Sequence, residues 1–407
     1  MTKHQNKIEK LITELCPKGV EYKILGNVCE QTSNIKWQNF VKQTFQYIDL
    51  TSVDRNTHSI TQVQTIDSDS APSRAQQIVK NGDIIFGTTR PTLKRFCLIR
   101  SKYDGQICST GFCVLRPNSN EILSDFLFHL IGSSNFCDYV EKTQKGASYP
   151  AISDSEVKRF KIPLPPLEIQ EKIVKILNSF TELEAELEAE LEARKKQYKY
   201  YRSSLLQFDE SVTYKTLGDI SLKVSSGGTP LVSKSDYYDG GTIPWLRTQE
   251  VKFTDILDTE MRITERAIQE TSAKWIPANC VIVAISGATA GRSAINKIPL
   301  ATNQHCCNFQ IDPEQANYRY VFHWVSAHYD EIKSMGQGAR SDLNASLIKN
   351  VKIAVPTLEK QERIVSILDK FDTLVNDISI GLPAELKARR QQYEYYRDKL
   401  LTFKELT

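Results

Sequence analysis

The chain contains one segment twice. Leu167 to Leu183 reads LEIQEKIVKILNSFTEL, and Leu358 to Leu374 reads LEKQERIVSILDKFDTL, 191 positions later. A second stretch follows each copy, RKKQYKYYRSSLLQF from Arg194 and RRQQYEYYRDKLLTF from Arg389, 195 positions apart. Repetition at a fixed period marks a duplicated unit. Here the period is about half of the 407 residues, so two similar halves with approximate internal two-fold symmetry are expected. A monomer of that kind suits a target that is itself bipartite.

Composition narrows the class. The net charge is +3 and 40% of the residues are hydrophobic, ordinary values for a soluble globular protein. The N-terminal MTKHQNKIEKLITEL has no apolar signal core, and no run of 18 apolar residues occurs, so no membrane span is expected. The nine cysteines include no CxxC pair, which points to a cytoplasmic protein with reduced thiols. Residues 1–163 carry 21 Lys+Arg against 16 Asp+Glu, whereas residues 208–354 carry 15 against 16. The first of these segments attracts a polyanion by its net charge; the second has to rely on local clusters.

Four segments alternate: globular at 1–163, helical at 164–207, globular at 208–354 and helical at 355–407. Pro163, Pro165 and Pro166 precede the first helix and Pro356 the second, where proline fixes the chain direction. Apolar side chains then recur at spacings of three, four and seven residues at Ile173, Leu177, Phe180, Leu187, Leu191, Tyr198 and Tyr201, a stripe for a partner helix. Ile364, Leu368, Phe371, Tyr393 and Tyr396 are its counterparts. Between Glu182 and Ala193 the tetrad ELEA is written three times. About 40 helical residues make a rod of roughly 60 Å. In the second copy Gly381 and Pro383 predict a break, Gly ending one helix and Pro opening the next. An intramolecular pair formed by the two duplicated arms is favoured over a free acidic helix.

The globular segments repeat more weakly. YKILGNV from Tyr22 matches YKTLGDI from Tyr214, and IIFGTTRPTLKRF from Ile84 stands in the place of VIVAISGATAGRS from Val281. GASYPAISDSEVKRFKIPLP from Gly146 matches GARSDLNASLIKNVKIAVP from Gly338. Strands are predicted at Ile84–Phe86, Cys113–Leu115, Val281–Ile285 and Asn308–Ile311, and helices at 124–140 and 316–333. Each segment reads as an α+β domain around a twisted sheet. The globular pair has diverged far more than the helical pair, as a common scaffold with two different surfaces would.

Together these strings resemble the specificity (S) subunits of type I restriction–modification systems, over essentially the whole chain. The strings that carry the likeness are PLPPLEIQEKIVKIL, ARKKQYKYYRSSLL and GLPAELKARRQQYEYYRDKLL, with GDIIFGTTRPTLKRF and SGATAGRSAINKIPLATNQ in the globular segments. The resemblance implies an α+β architecture. Two similar α/β target recognition domains are separated by two long helical spacers, packed as an antiparallel coiled coil with pseudo-two-fold symmetry. It also implies that each globular domain reads one half of a split double-stranded DNA site. The helices set the gap and dock two methyltransferase subunits, and two restriction subunits can join. S-adenosylmethionine, ATP and Mg are then expected on those partners, with no cofactor and no catalytic residue on this chain.

Candidate DNA-contacting residues fall in matching places. Thr88, Thr89, Arg90, Lys94 and Arg95 follow one predicted strand, and Thr and Arg are types that contact phosphates and base edges. Ser286, Thr289 and Arg292 follow the matching strand in SGATAGR, which lacks the lysine and spacing of a nucleotide-binding P-loop. Lys145, Ser148 and Tyr149 lie before one helical arm, and Arg340, Ser341 and Asn344 before the other. Arg247, Asn303 and Gln304 complete the set, while Trp245 reads as core. Each group also has a plain reading, as a solvated loop or a tight turn. His305, Cys306 and Cys307 are adjacent, so they alternate across a strand and make a poor metal site; no metal is expected. No GxSxG, HExxH or NPP[YF]-type string occurs. A coiled-coil scaffold that binds protein is the alternative from another class. A self-sufficient modification enzyme would have to bind S-adenosylmethionine by itself.

Overall fold

The computed structural model describes residues 10–336, 342–377 and 380–406. The chain divides into two compact units. One comprises Met1–Glu186 with Leu386–Thr407, and the other Leu187–Glu385. This division does not follow the segment boundaries at 163, 207 and 354: each unit combines one globular domain with helix from both duplicated arms.

In the first unit the strands Glu21–Ile24 and Lys161–Leu164 pair antiparallel where the chain enters and leaves the globular part. Between them lie a four-stranded and a five-stranded sheet, rather than the one twisted sheet expected. The four-stranded sheet runs Cys29–Glu30, Phe112–Pro117, Ile84–Gly87, Phe96–Leu98. The other holds a parallel pair, Phe45–Ile48 beside Ile107–Ser109. The second unit repeats the plan. Tyr214–Thr216 pairs with Lys352–Ala354; a five-stranded sheet contains Val281–Ala284 and Cys306–Ile311, and a four-stranded one carries the parallel pair Ile243–Leu246 and Leu300–Thr302.

The duplicated central strands are apolar throughout because both faces are covered. Ile84 and Phe86 enter one core cluster and Ile85 another. In the second unit Val281 and Val283 face one cluster, Ile282 and Ala284 the next. That alternation follows from the period of two along a strand. Cys306 and Cys307 likewise enter different cores. Among the described residues no group of His, Cys, Asp and Glu is placed to hold a metal ion, and no helix is long and apolar enough to cross a membrane.

Two predicted helices are each broken. Residues 124–140 form Ser124–Ile131 and Ser134–Thr143, because the Ser133 hydroxyl accepts from the Phe136 N–H and starts a new helix after Gly132. Residues 316–333 form Tyr318–Ala327 and Tyr329–Ser334. At the break the His328 ring packs 3.8 Å from the Trp324 ring, and its Nδ1 reaches the Trp324 carbonyl.

The first helical arm is a single helix, Leu167–Leu205, uninterrupted through the tetrads. The second is split into Leu358–Asn376 and Leu382–Leu400; the break is the one predicted and Pro383 lies in the first turn of the second helix, but Asp377, not Gly381, caps the end of the first. The apolar stripe needs a correction. Ile173 and Leu177 are fully buried, but in the core of the first globular domain with Phe126 and Leu130. Ile364 and Leu368 join Tyr320 and Val321 in the second. The start of each arm therefore docks on a domain, and residues of the opposite arm join the same clusters, Leu400 in the first unit and Tyr198 in the second. Phe180 stacks on Tyr396 in the first unit, where Arg390 also pairs with Glu184; the order of these contacts makes the helices antiparallel. In the second unit Tyr198 and Tyr201 stack on Phe371, and Leu191 packs half-buried against the core. Leu187 is half-buried.

A glutamine fixes each docking. Gln170 accepts the Leu123 N–H at 2.9 Å and donates to the carbonyls of Glu121 and Pro165. Gln361 accepts the Asn317 N–H at 2.8 Å and donates to Gln315 and Pro356. Both are fully buried, so their bonds satisfy backbone groups that water does not reach.

Candidate nucleic-acid interface

Each unit gathers three sequence-distant turns at one place through backbone hydrogen bonds. In the first unit the Thr88 N–H donates to Gly111 O at 2.8 Å, and the Ile152 N–H donates to Thr88 O at 3.0 Å. In the second, the Ile285 N–H donates to His305 O and the Leu343 N–H to Ile285 O, both at 2.9 Å. The loop after a central strand is thus tied to the turn before the next long strand and to the loop before the exit helix. The exit helices start alike: Ser153 caps Glu156 and Asn344 caps Leu347.

The first unit presents cations there. Arg90, Lys94, Lys145, Ser148 and Tyr149 are exposed and Thr89 is half-buried. The Arg90 N–H donates to Pro150 O at 2.7 Å, and its guanidinium carbon lies 4.7 Å from the Tyr149 ring centroid. Thr89 and Lys145 both bridge to Ala151. Two expectations are corrected. Thr88 is buried, and its hydroxyl donates to Gly111 O at 2.9 Å, so it ties turns together. Arg95 donates to the carbonyls of Leu50 and Val53 at 2.6 and 2.7 Å; a guanidinium spent on backbone acceptors braces the loop from behind.

The second unit is differently charged. The Asp342 carboxylate accepts from the Ser286 hydroxyl and the Gly287 N–H, both at 2.9 Å. The loop that resembles a phosphate cradle therefore already holds an anion of its own chain, which corrects the reading of Ser286. Thr289 accepts the Arg292 N–H through its carbonyl, and both side chains are half-buried. Arg247 and Asn303 follow the paired parallel strands, and the Asn303 N–H donates to Leu246 O at 3.0 Å. Arg247 pairs with Glu260 at 2.6 Å and approaches Glu250, so its charge is largely neutralised within the fold. Asn303 is buried, accepting the His305 N–H, and Asn344 is spent on its cap; both hold turns together. Gln304 is exposed and accepts from the Thr229 hydroxyl. Trp245 is buried and donates to Gly228 O. Arg340 and Ser341 lie outside the described residues.

Sequence reasoning passed over the turn after the first unit's parallel pair. There Asp49 accepts from the N–H groups of Thr51 and Ser52. Burial raises its proton affinity, but these bonds and those from the two hydroxyls outweigh it and hold the carboxyl below its ordinary range. Thr51 and Thr110 stand exposed on the two turns. The signal was present: YIDLTSV is an apolar strand followed by an Asp–Thr cap, in the position of IPWLRTQEV in the other half.

A family described as type I restriction modification DNA specificity domain matches residues 17–193 and 209–388. The type I restriction enzyme EcoR124I/EcoR124II specificity subunit of Escherichia coli is 41% identical over 265 residues, 62% of this chain and 65% of that relative. A putative type I specificity subunit of Haemophilus influenzae is 33% identical over 299 residues, 70% of this chain and 74% of its own. A solved chain from work on complex assembly and conformational transition of the type I restriction–modification system is 26% identical. It gives a TM-score of 0.66 over 95% of this chain and 98% of that one. The S subunit from M. genitalium shares the fold at 14% identity, with a TM-score of 0.56 over 94% and 96% of the two chains.

Proposed function

Because the chain belongs to the type I restriction–modification DNA specificity family, we propose that it is the DNA-recognition subunit of such a complex. Each unit reads one half of a bipartite, asymmetric site. Phosphate contacts position each unit, and exposed polar side chains at the gathered turns discriminate bases. The observation that carries this reading is the repetition of one three-turn surface on both units, built from different residues each time: Arg90, Lys94 and Tyr149 in one, Thr289, Arg292 and Gln304 in the other. A common frame with a variable face is what reading two unlike half-sites requires.

Under this reading the chain is not itself catalytic and works in the cytoplasm, where the DNA is. Two methyltransferase subunits dock on the helical arms, carry S-adenosylmethionine and flip an adenine out of each half-site. Two restriction subunits add ATP- and Mg-dependent translocation and cleavage. The test is co-expression with the adjacent methyltransferase, followed by mapping of N6-methyladenine across the host DNA. A split asymmetric motif of fixed gap that depends on this chain is the expected result. A complex that forms and binds S-adenosylmethionine but methylates nothing counts against it, and failure to form any complex returns the scaffold reading.

A further inference from the structure

The loops after the two central strands correspond position by position once Ile84 is set beside Val281. Both hold two residues in the left-handed region, at the same two places. In the second unit these are Gly287 (φ 72°) and Gly291 (φ 85°); in the first they are Arg90 (φ 49°) and Lys94 (φ 53°). Glycine adopts this conformation freely, whereas a residue with a Cβ is strained there. A Cβ at Gly287 would meet nothing within 4 Å, so packing does not dictate which residue stands in this place. Strained residues of this kind cluster at functional sites, where the surrounding structure holds them in place.

Arg90 is also aimed. Its N–H is tied to Pro150 O, one residue beyond Tyr149, and its guanidinium lies over the Tyr149 ring, which is 72% exposed. Among the described residues no carboxylate pairs with Arg90, in contrast to Arg247. A guanidinium held over a ring by its charge keeps its N–H groups available for a ligand, and holding it in place beforehand reduces what is lost on forming two parallel bonds. In the major groove the acceptor pair that matches such a fork is O6 and N7 of guanine. We propose that Arg90, held by Tyr149, reads one guanine in the half-site of the first unit. The assignment rests on the DNA-reading function proposed above and names one of its contacts.

The experiment uses the full-length chain in complex with its methyltransferase subunits and maps methylated sites for wild type, R90K and R90G. The wild-type complex must first give a split motif; its absence rejects the DNA-reading function itself, and Arg90's role with it. Given that motif, R90K keeps the charge and loses the fork. One G·C position in one half-site becomes degenerate, its discrimination falling roughly five- to hundredfold, while the other half-site stays as it was. R90G installs the twin loop's glycine: it loosens the same position while the melting temperature stays level or rises. An unchanged motif in both variants, an even loss of methylation at all sites, relaxation at an A·T position, or a fall in melting temperature for R90G would each overturn the proposal.

Discussion

The Nδ1 of His129 lies 2.8 Å from the hydroxyl of Tyr393, 264 residues further along the chain. Its Nε2 lies 2.9 Å from Asn178 Oδ1. Because that oxygen only accepts, Nε2 carries the proton and Nδ1 accepts from tyrosine. Burial holds the ring neutral, pushing its pKa down to about 4, and pushes the Tyr393 hydroxyl up to about 12. The second unit repeats the arrangement with Tyr198, 3.5 Å from His323, and with Asp369 in the place of Asn178. In both units the histidine belongs to one repeat and the tyrosine to the arm of the other, so each domain is closed by the opposite half of the sequence.

Replacing Tyr393 with Phe leaves the Nδ1 of a buried imidazole without a donor. A loss of about 1–3 kcal/mol is expected, the usual cost of an unsatisfied buried group. Urea titration of the full chain checks it. A midpoint within error of wild type would show that water replaces the hydroxyl and that the contact does not hold the arm.

Gln170 and Gln361 each make three bonds to backbone groups. Gln170→Leu or Gln361→Leu removes them and strands a buried N–H and two carbonyls, for an expected loss of about 3 kcal/mol or more per site. Thermal unfolding of each variant reads the effect. Glu at either position keeps one acceptor and loses both donated bonds, so it should recover part of the stability at most.

The two glutamines also mark what the sequence could and could not convey. Their recurrence in LEIQEK and LEKQER was visible and belongs to the strongest repeat in the chain. Their task was not, because it depends on backbone groups near 121 and 315 that only the fold brings close. Ile173 and its counterpart Ile364 were legible as apolar stripe residues, but periodicity does not say whether the partner is a helix or a domain. Arg90 and Arg95 read alike as basic loop residues. Five positions apart, one lies over an exposed tyrosine ring while the other is spent on the carbonyls of Leu50 and Val53, a difference set by side-chain direction and not by residue type. The weak repeat from Tyr22 and Tyr214 did foretell that both domains share one plan.

His129 gives the first unit an acid sensitivity with a definite sign. Its ordinary value of 6.5 drops to about 4 in the folded protein, so between those values the unfolded chain binds more protons. The stability it contributes is complete above pH 6.5 and is lost as pH falls toward 4, by about 3 kcal/mol at most. Urea titrations at pH 7 and pH 4.5 should show a decline that shrinks in His129→Gln. An identical pH dependence in wild type and variant would assign the decline to other groups.

The helix Leu167–Leu205 runs without a break through the three ELEA tetrads. Deleting one tetrad, for example residues 186–189, removes four residues, shortens the helix by about 6 Å and turns everything beyond it by roughly 40°. Because each tetrad repeats the last, the side chains that meet the ends of the helix keep their identity. The rise per base pair along duplex DNA is about 3.4 Å, so the unspecified gap of the target should shrink by one or two base pairs while both half-site sequences stay the same. Methylation mapping of the deletion variant reads the gap directly. A gap of unchanged length, with methylation retained, would mean that the helix is not what measures it, and a change in either half-site sequence would mean that the tetrads influence base reading.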